Sequence, residues 1–273
     1  MPIFSHLATN SYLCAIELVT NFVMRYFIEL AYRGTAYNGW QIQTSAPSVQ
    51  QTLQEALSKV LRQTIEVVGA GRTDTGVHAA YYVAHFDCAE EIADSYKFIY
   101  HLNSVLPFDI AVSRVRKVRE DAHARFDATE REYTYLITTR KDPFTLGNTW
   151  YYRYSTPLSV EAMNKAAEAL LRHEDFTTFA KLNSNNSTNI CHVTYAHWEE
   201  SADGFRFVIR SNRFLRNMIR ALVGTMVDVG RGKLSPEQFE ELIVARDLSL
   251  SSGSAPAEGL FLSNVKYPEN IYL

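Results

Sequence analysis

The sequence has few cysteines, no long apolar run and no excess of basic residues. Its three cysteines, Cys14, Cys88 and Cys191, are far apart among 273 residues and form no CxxC pair. This spacing argues against a disulfide framework and a zinc site, and it favours the cytosol, where thiols stay reduced. No apolar run approaches the ~20 residues that a membrane-spanning helix needs. We therefore predict a cytoplasmic protein with no metal and no membrane segment.

The charge balance is slightly acidic, with 27 basic against 30 acidic residues and a net charge of −3. A chain of this charge does not coat nucleic acid by bulk attraction. Basic residues are nevertheless concentrated between positions 205 and 233, where Asp228 is the one acidic residue. Such a concentration favours an anionic partner at one place, although most charge clusters are solvated helix faces.

The first 23 residues differ from the rest of the chain. They are weakly apolar and carry no basic residue before the apolar part, so they make a poor signal peptide. Met24 begins a much clearer strand. We expect residues 1–23 to be a leader outside the fold, with Met24 as the true start.

From residue 24 onward, hydrophobic periodicity predicts an irregular alternation of strands and helices. The content of 47% hydrophobic residues suits a large core in one or two domains. We predict an α+β protein in two comparable halves, 24–118 and 119–273. The predicted strands are 25–32, 65–68, 77–86, 110–118, 131–139, 192–199, 205–210 and 260–265, and the predicted helices begin at Ser48 and span 96–105, 159–172, 212–229 and 239–246.

The loop Gly69–Gly76 places one carboxylate, Asp74, between two strand-like segments. Its glycines let a ligand approach the main chain closely. Arg72 lies near enough to Asp74 to hold the charge of that carboxylate or to contact a phosphate. A carboxylate held in this way is a candidate nucleophile or base. Interpretation as a nucleotide loop fails, because Asp74 occupies the third glycine position of the dinucleotide fingerprint and no Gly-Lys-Ser/Thr is present. A tight turn capped by Asp74 remains an alternative.

Two other groups of residues accompany this loop. Arg213, Arg216 and Arg220 would share one face of the predicted helix 212–229 and could follow phosphates or pair with a carboxylate. On the predicted strand 131–139, Arg131, Tyr133 and Tyr135 share one side, which suits stacking on a base. Ordinary strand packing explains the two tyrosines equally well, because aromatic residues are common in strands.

Several motifs, in order, resemble those of the TruA-type tRNA pseudouridine synthases, and the resemblance covers nearly the whole chain after Met24. One departure is Thr75, where the family more often has alanine. The matching blocks are residues 37–41, 48–50, 69–79, 123–126, 131–135, 175–179, 214–220 and 257–260.

The resemblance implies two ferredoxin-like halves with mixed, largely antiparallel sheets, helices packed on one face and a catalytic cleft between the halves. It also implies isomerisation of uridine to pseudouridine in the anticodon stem-loop of tRNA, at positions 38–40, without a cofactor or a metal. The expected partners are tRNA, bound through its anticodon arm, and a second copy of the chain in a homodimer.

The same resemblance assigns roles to individual residues. Asp74 would attack the nucleotide or take its C2′ proton, Tyr133 would stack on the uracil, and Arg220 would pair with Asp74. Substrate-binding candidates are Arg72, Arg131, Tyr135, Arg213 and Arg216. The rival hypotheses are an RNA-binding module without chemistry and a glycoside hydrolase, which would normally need a second carboxylate. An enzyme with a nucleotide cofactor is disfavoured by the broken loop motifs.

Overall fold

A mixed sheet runs through the computed structural model of the protein, which describes residues 23–181 and 187–273. All but the last residue of the predicted leader 1–23 lies outside the described residues. The strands and helices that the structure describes are β1 Met24–Tyr32, α1 Val49–Leu61, β2 Val67–Gly69, β3 His78–Cys88, α2 Ser95–Val105, β4 Ile110–Lys117, β5 Glu130–Thr138, β6 Trp150–Tyr151, α3 Val160–Ala169, β7 Val193–Ser201, β8 Gly204–Ser211, α4 Met218–Gly230, α5 Pro236–Ala245 and β9 Leu260–Lys266.

The strand order brings strands from both halves of the chain into one sheet. The main path through the sheet is β4-β1-β3-β9-β5-β8-β7, with β2 beside β3 and β6 beside β5. Pairing is antiparallel except for the short contacts of β3 with β9 and of β5 with β6. The predicted α+β class with a mixed, largely antiparallel sheet is thereby confirmed. The last strand of the chain lies in the middle of the sheet, between β3 and β5.

Two hydrophobic cores lie along this sheet. The first is built from β1 to β4 with α1 and α2, and the second from β5, β7 and β8 with α3, α4 and α5. Strand β9 serves both, because Leu260 packs in the second core whereas Leu262 and Val265 pack in the first. Tyr133 on β5 contacts both cores. Two cores are compatible with the predicted halves, whose boundary remains a prediction.

Helix starts follow the capping residues in the sequence. Ser48 caps α1 by accepting a hydrogen bond from the Gln51 amide, as predicted from the sequence. A capping box would also need the Gln51 side chain to accept from the Ser48 amide. The Gln51 side chain instead turns to Glu55, to which its Nε2 donates. At α5 the box is complete, since Ser235 and Gln238 bind each other's backbone amides.

The predicted helix 212–229 begins later than expected. Helix α4 starts at Met218, and Asn217 before it has a left-handed φ of +64°. A residue in that conformation cannot continue a right-handed helix, so residues 212–217 form a separate turn. Arg213 and Arg216 therefore lie before the helix, and the prediction that they share one helix face with Arg220 is wrong. In the described part of the chain, no helix is both long and apolar enough to cross a membrane.

Candidate active site

The loop that carries Asp74 joins β2 to β3 and is held at both ends. The Ala70 amide donates to the Val83 carbonyl at 2.9 Å, and the Tyr82 hydroxyl donates to the Gly71 carbonyl. Thr73 is buried, and its hydroxyl lies 2.9 Å from that of Tyr32. The chain then turns because the Val77 amide donates to the Asp74 carbonyl at 3.1 Å. The loop therefore has a fixed backbone that presents one carboxylate.

A second loop packs directly on the first and requires glycine to do so. A Cβ added to Gly39 would lie 2.1 Å from the Thr73 carbonyl oxygen, and Gly39 has a φ of +81°. A Cβ on Gly34 would lie 2.0 Å from the Val77 oxygen. Both contacts are closer than any side chain allows, so these glycines set how near the two loops approach.

The Asp74 carboxylate lies between two guanidinium groups. Its Oδ1 is 3.8 Å from Arg216 Nε, and its Oδ2 is 3.8 Å from Arg220 Nη1. The side chains of Asp74 and Arg220 are 23% and 21% exposed, whereas that of Arg216 is 57% exposed. The carboxylate is thus partly withdrawn from water and lies between two positive charges. The structure brings Asp74 together with Arg216 and Arg220, which lie more than 140 positions later in the sequence.

Arg220 is held by the segment that precedes β9. Its Nε donates to the Ala255 carbonyl at 2.7 Å, and the Ala255 amide donates to the Arg220 carbonyl at 2.9 Å. A Cβ on Gly224, one turn further along α4, would lie 2.2 Å from the Gly253 carbonyl oxygen. Residues 253–255 therefore orient the arginine beside Asp74.

Tyr133 points its ring into the same region from β5. It is partly buried and packs edge-on against Phe214, with ring centroids 5.3 Å apart. Burial raises the pKa of Tyr133 to about 12, with the nearby Arg131 charge opposing the rise and the Asp74 charge adding to it. The phenol is therefore protonated at neutral pH and can donate a hydrogen bond or a proton.

Tyr135 has a different environment from Tyr133. Its side chain has no exposed surface, and its hydroxyl donates to the Pro256 carbonyl at 2.7 Å. The ring packs within the second core. A substrate contact by Tyr135 remains a prediction, and this burial does not favour it.

The remaining substrate-binding candidates fall into two groups. Arg72 is exposed on the Asp74 loop, and Arg213 is partly exposed with its Nη1 donating to the Thr188 carbonyl at 3.1 Å. Arg131 is different, because its guanidinium donates to the carbonyls of Ala70 and Asn212 at 2.9 and 2.8 Å. Arg72 is therefore available to an anionic ligand, whereas Arg131 binds the protein's own backbone.

Potential metal ligands are scattered. Within residues 23–181 and 187–273, no group of three or more His, Cys, Asp and Glu side chains is placed to hold a metal ion. Cys88 and Cys191 are buried free thiols, and burial raises the pKa of each to about 11. Neither thiol lies in a setting that favours a thiolate ligand.

Comparison with known proteins gives one consistent result. The family model described as tRNA pseudouridine synthase matches residues 30–127 and 166–268. A protein of Bacteroides thetaiotaomicron named tRNA pseudouridine synthase A is 51% identical over 92% of this chain and 93% of its own length. A protein of the same name from Bacillus subtilis is 37% identical over 89% of this chain and 99% of its own. Both matches extend through the segments that carry Asp74, Tyr133 and Arg220 in this chain.

Proposed function

Because this chain belongs to the tRNA pseudouridine synthase family, we propose that Asp74 is the group that opens the reaction on a tRNA uridine. The enzyme isomerises uridine in tRNA to pseudouridine. The observation that carries the proposal is the position of the Asp74 carboxylate, 3.8 Å from two guanidinium groups. The charge of this carboxylate also raises the pKa of Tyr133, so the phenol lies close to it.

The chemistry assigned to this site exchanges one glycosidic bond for another. The bond from uracil N1 to C1′ breaks, the uracil turns, and C5 forms a bond to C1′. The proton lost from C5 is balanced by a proton gained at N1, so the product has the mass of the substrate. Asp74 would either bond to the nucleotide as a nucleophile or remove the C2′ proton, and these two routes remain open. In either route an ionised carboxylate is required, and Arg216 and Arg220 stabilise that charge. Tyr133 would stack on the uracil and assist the proton transfer at C5.

Binding is proposed to use the arginines around the carboxylate. Arg72, Arg213 and Arg216 lie on the Asp74 loop and on the turn before α4, so they can neutralise phosphates that flank the target. We propose that the protein binds the anticodon arm of the tRNA. The target uridine leaves its base stack to reach Asp74. Arg72 then fills the space of the extruded base or binds the RNA backbone beside it. We also propose a homodimer that acts in the cytoplasm. Each chain is acidic overall and basic only locally, so two chains would together provide a shared basic cleft for one tRNA.

The test is to incubate the purified protein with unmodified tRNA and to map pseudouridine by carbodiimide-dependent primer-extension stops. Stops on the 3′ side of the anticodon stem-loop, without loss of RNA mass, are the expected result. Release of free uracil would instead support a glycoside hydrolase, and binding without either product would support an RNA-binding module.

A further inference from the structure

The guanidinium of Arg131 connects three segments that are distant in sequence. Its Nη2 donates to the carbonyls of Ala70 and Arg125 at 2.9 and 2.7 Å. Its Nη1 donates to those of Asn212 and Ala128, at 2.8 and 3.4 Å. Since one nitrogen binds both Ala70 and Arg125, the Asp74 loop and the turn at 123–128 are direct neighbours.

Each of these segments carries a candidate site residue or an exposed side chain. Ala70 opens the loop of Arg72 and Asp74, and Asn212 opens the turn of Arg213 and Arg216. The turn at 123–128 presents Phe126, whose side chain is 73% exposed. Tyr133 lies two residues after Arg131 on β5, and therefore on the same face of that strand.

Arg131 has almost no donor left for a substrate. An arginine carries five N–H groups, and four of them belong to the two Nη atoms. The four acceptors found for these atoms among the described residues are all backbone carbonyls. Burial also lowers the pKa of Arg131. The planar fork binds four carbonyls through two separated nitrogens, whereas the single nitrogen of a lysine has three N–H donors at one point.

We propose that Arg131 is a positioning residue that fixes the Asp74 loop, the 123–128 turn and the turn before α4 relative to Tyr133. This inference rests on the proposed function and replaces a direct contact of Arg131 with RNA. Loss of the fork would let the Asp74 loop and Tyr133 shift with respect to each other. A displacement of about 1 Å between reacting groups can lower a rate by about 100-fold.

The experiment compares Arg131→Met, Arg131→Lys and the control Arg140→Met with the wild-type protein on unmodified tRNA. Arg140 is a suitable control, because it is an exposed arginine outside the basic stretch 205–233 and its partner Asp203 is similarly exposed. The measurements are kcat and KM for pseudouridine formation and the salt dependence of the tRNA Kd. Circular dichroism verifies folding.

We expect kcat to fall by about 100-fold in Arg131→Met and by less in Arg131→Lys, while the slope of the tRNA Kd against salt is unchanged. A kcat equal to wild type in either variant would overturn the proposal. So would a loss confined to tRNA binding with a shallower salt slope, which would show a phosphate contact. If Arg131→Met does not fold, Arg131→Lys decides by the same criteria. A wild-type protein that makes no pseudouridine would instead refute the proposed function.

Discussion

The ion pairs of Asp74 are looser than most of those among the described residues. Both separations are 3.8 Å, whereas Arg25 and Asp87 approach to 2.7 Å in a pair whose aspartate is 40% exposed. A loose arrangement supplies positive charge to the carboxylate without using all of its lone pairs in short hydrogen bonds. The oxygen atoms of Asp74 therefore stay available to a ligand that enters between the two arginines.

The first prediction at this scale concerns Asp74→Asn. The amide keeps the shape of the side chain but is neither a nucleophile nor a base, so we expect turnover to fall by roughly a thousandfold or more. Binding of tRNA should remain within about threefold, because the phosphate contacts are unchanged. Single-turnover kinetics and filter binding measure the two quantities. Asp87→Asn is the matched control and should keep its activity; activity in Asp74→Asn would remove this residue from the chemistry.

A second prediction concerns His85, which is buried on β3. Its Nδ1 accepts a hydrogen bond from the Ala124 amide at 3.0 Å, and burial lowers its pKa from 6.5 to about 4. Between those two pH values the unfolded chain binds more protons than the folded one, so stability rises with pH. The contribution of His85 is complete above pH 6.5 and is lost as pH falls towards 4.

We expect His85→Asn to flatten this dependence, because the amide oxygen can still accept from Ala124 but does not titrate. After a discount for partial solvent access, the difference should be about 1–2 kcal/mol in the free energy of unfolding. Urea unfolding of both proteins at about pH 7 and about pH 4.5 measures this difference, because most of the protonation of His85 in the unfolded chain occurs between these two pH values. Parallel pH profiles in the two proteins would contradict the assignment.

At the scale of elements, loops rather than helices and strands determine the site. The loop of residues 34–40 reaches the Asp74 loop only because Gly39 and Gly34 have no side chain. The turn before α4 places Arg216 beside Asp74, and the segment before β9 orients Arg220. Each of these connections is fixed by backbone hydrogen bonds.

We predict that Gly39→Ala displaces the Asp74 loop. The new Cβ would meet the Thr73 carbonyl at 2.1 Å, so a loss of roughly 10- to 100-fold in kcat is expected. Gly232→Ala is the control, because Gly232 has a similar φ of +72° but no atom within 4 Å of the added Cβ. It should lose only about 1–2 kcal/mol of stability, from the left-handed backbone alone. Equal kcat values in both variants would contradict the contact.

The sequence predicted most elements but not how they meet. Alternation and periodicity located strands such as β1 and β5, and Ser48 marked the start of α1. The predicted start of α4 was wrong, because the spacing of Arg213, Arg216 and Arg220 fits a continuous helix and a turn followed by a helix equally well. Strand β6 was missed, since its two residues are too few to show any period. The anchoring of Arg220 by Ala255 could not be predicted, because both hydrogen bonds use the backbone of Ala255, which no side-chain pattern marks.

At the scale of the whole molecule, β9 joins the two cores. It pairs in parallel with β3 and in antiparallel with β5, and its side chains enter both cores. Asp74 comes from the first core side and Arg220 from the second. The relative position of these two residues therefore depends on the strand that connects the cores.

We predict that both cores unfold in one transition. Trp40 lies in the first core and Trp198 in the second, and each is only 1% exposed. In a Trp150→Phe background, Trp40→Phe and Trp198→Phe each leave one fluorescent probe. Within each variant, the urea curves from fluorescence and from circular dichroism should coincide, because β9 couples the cores. Two separated transitions would show that the cores are independent domains.

The central position of β9 has a consequence for biosynthesis. Proteins are made from the N-terminus, so the partners of the last strand, β3 and β5, are synthesised well before it. Until β9 has been synthesised, both of those strands keep an unsatisfied edge that can pair with another nascent polypeptide. The two cores, and with them Asp74 and Arg220, are therefore joined only when β9 inserts between β3 and β5.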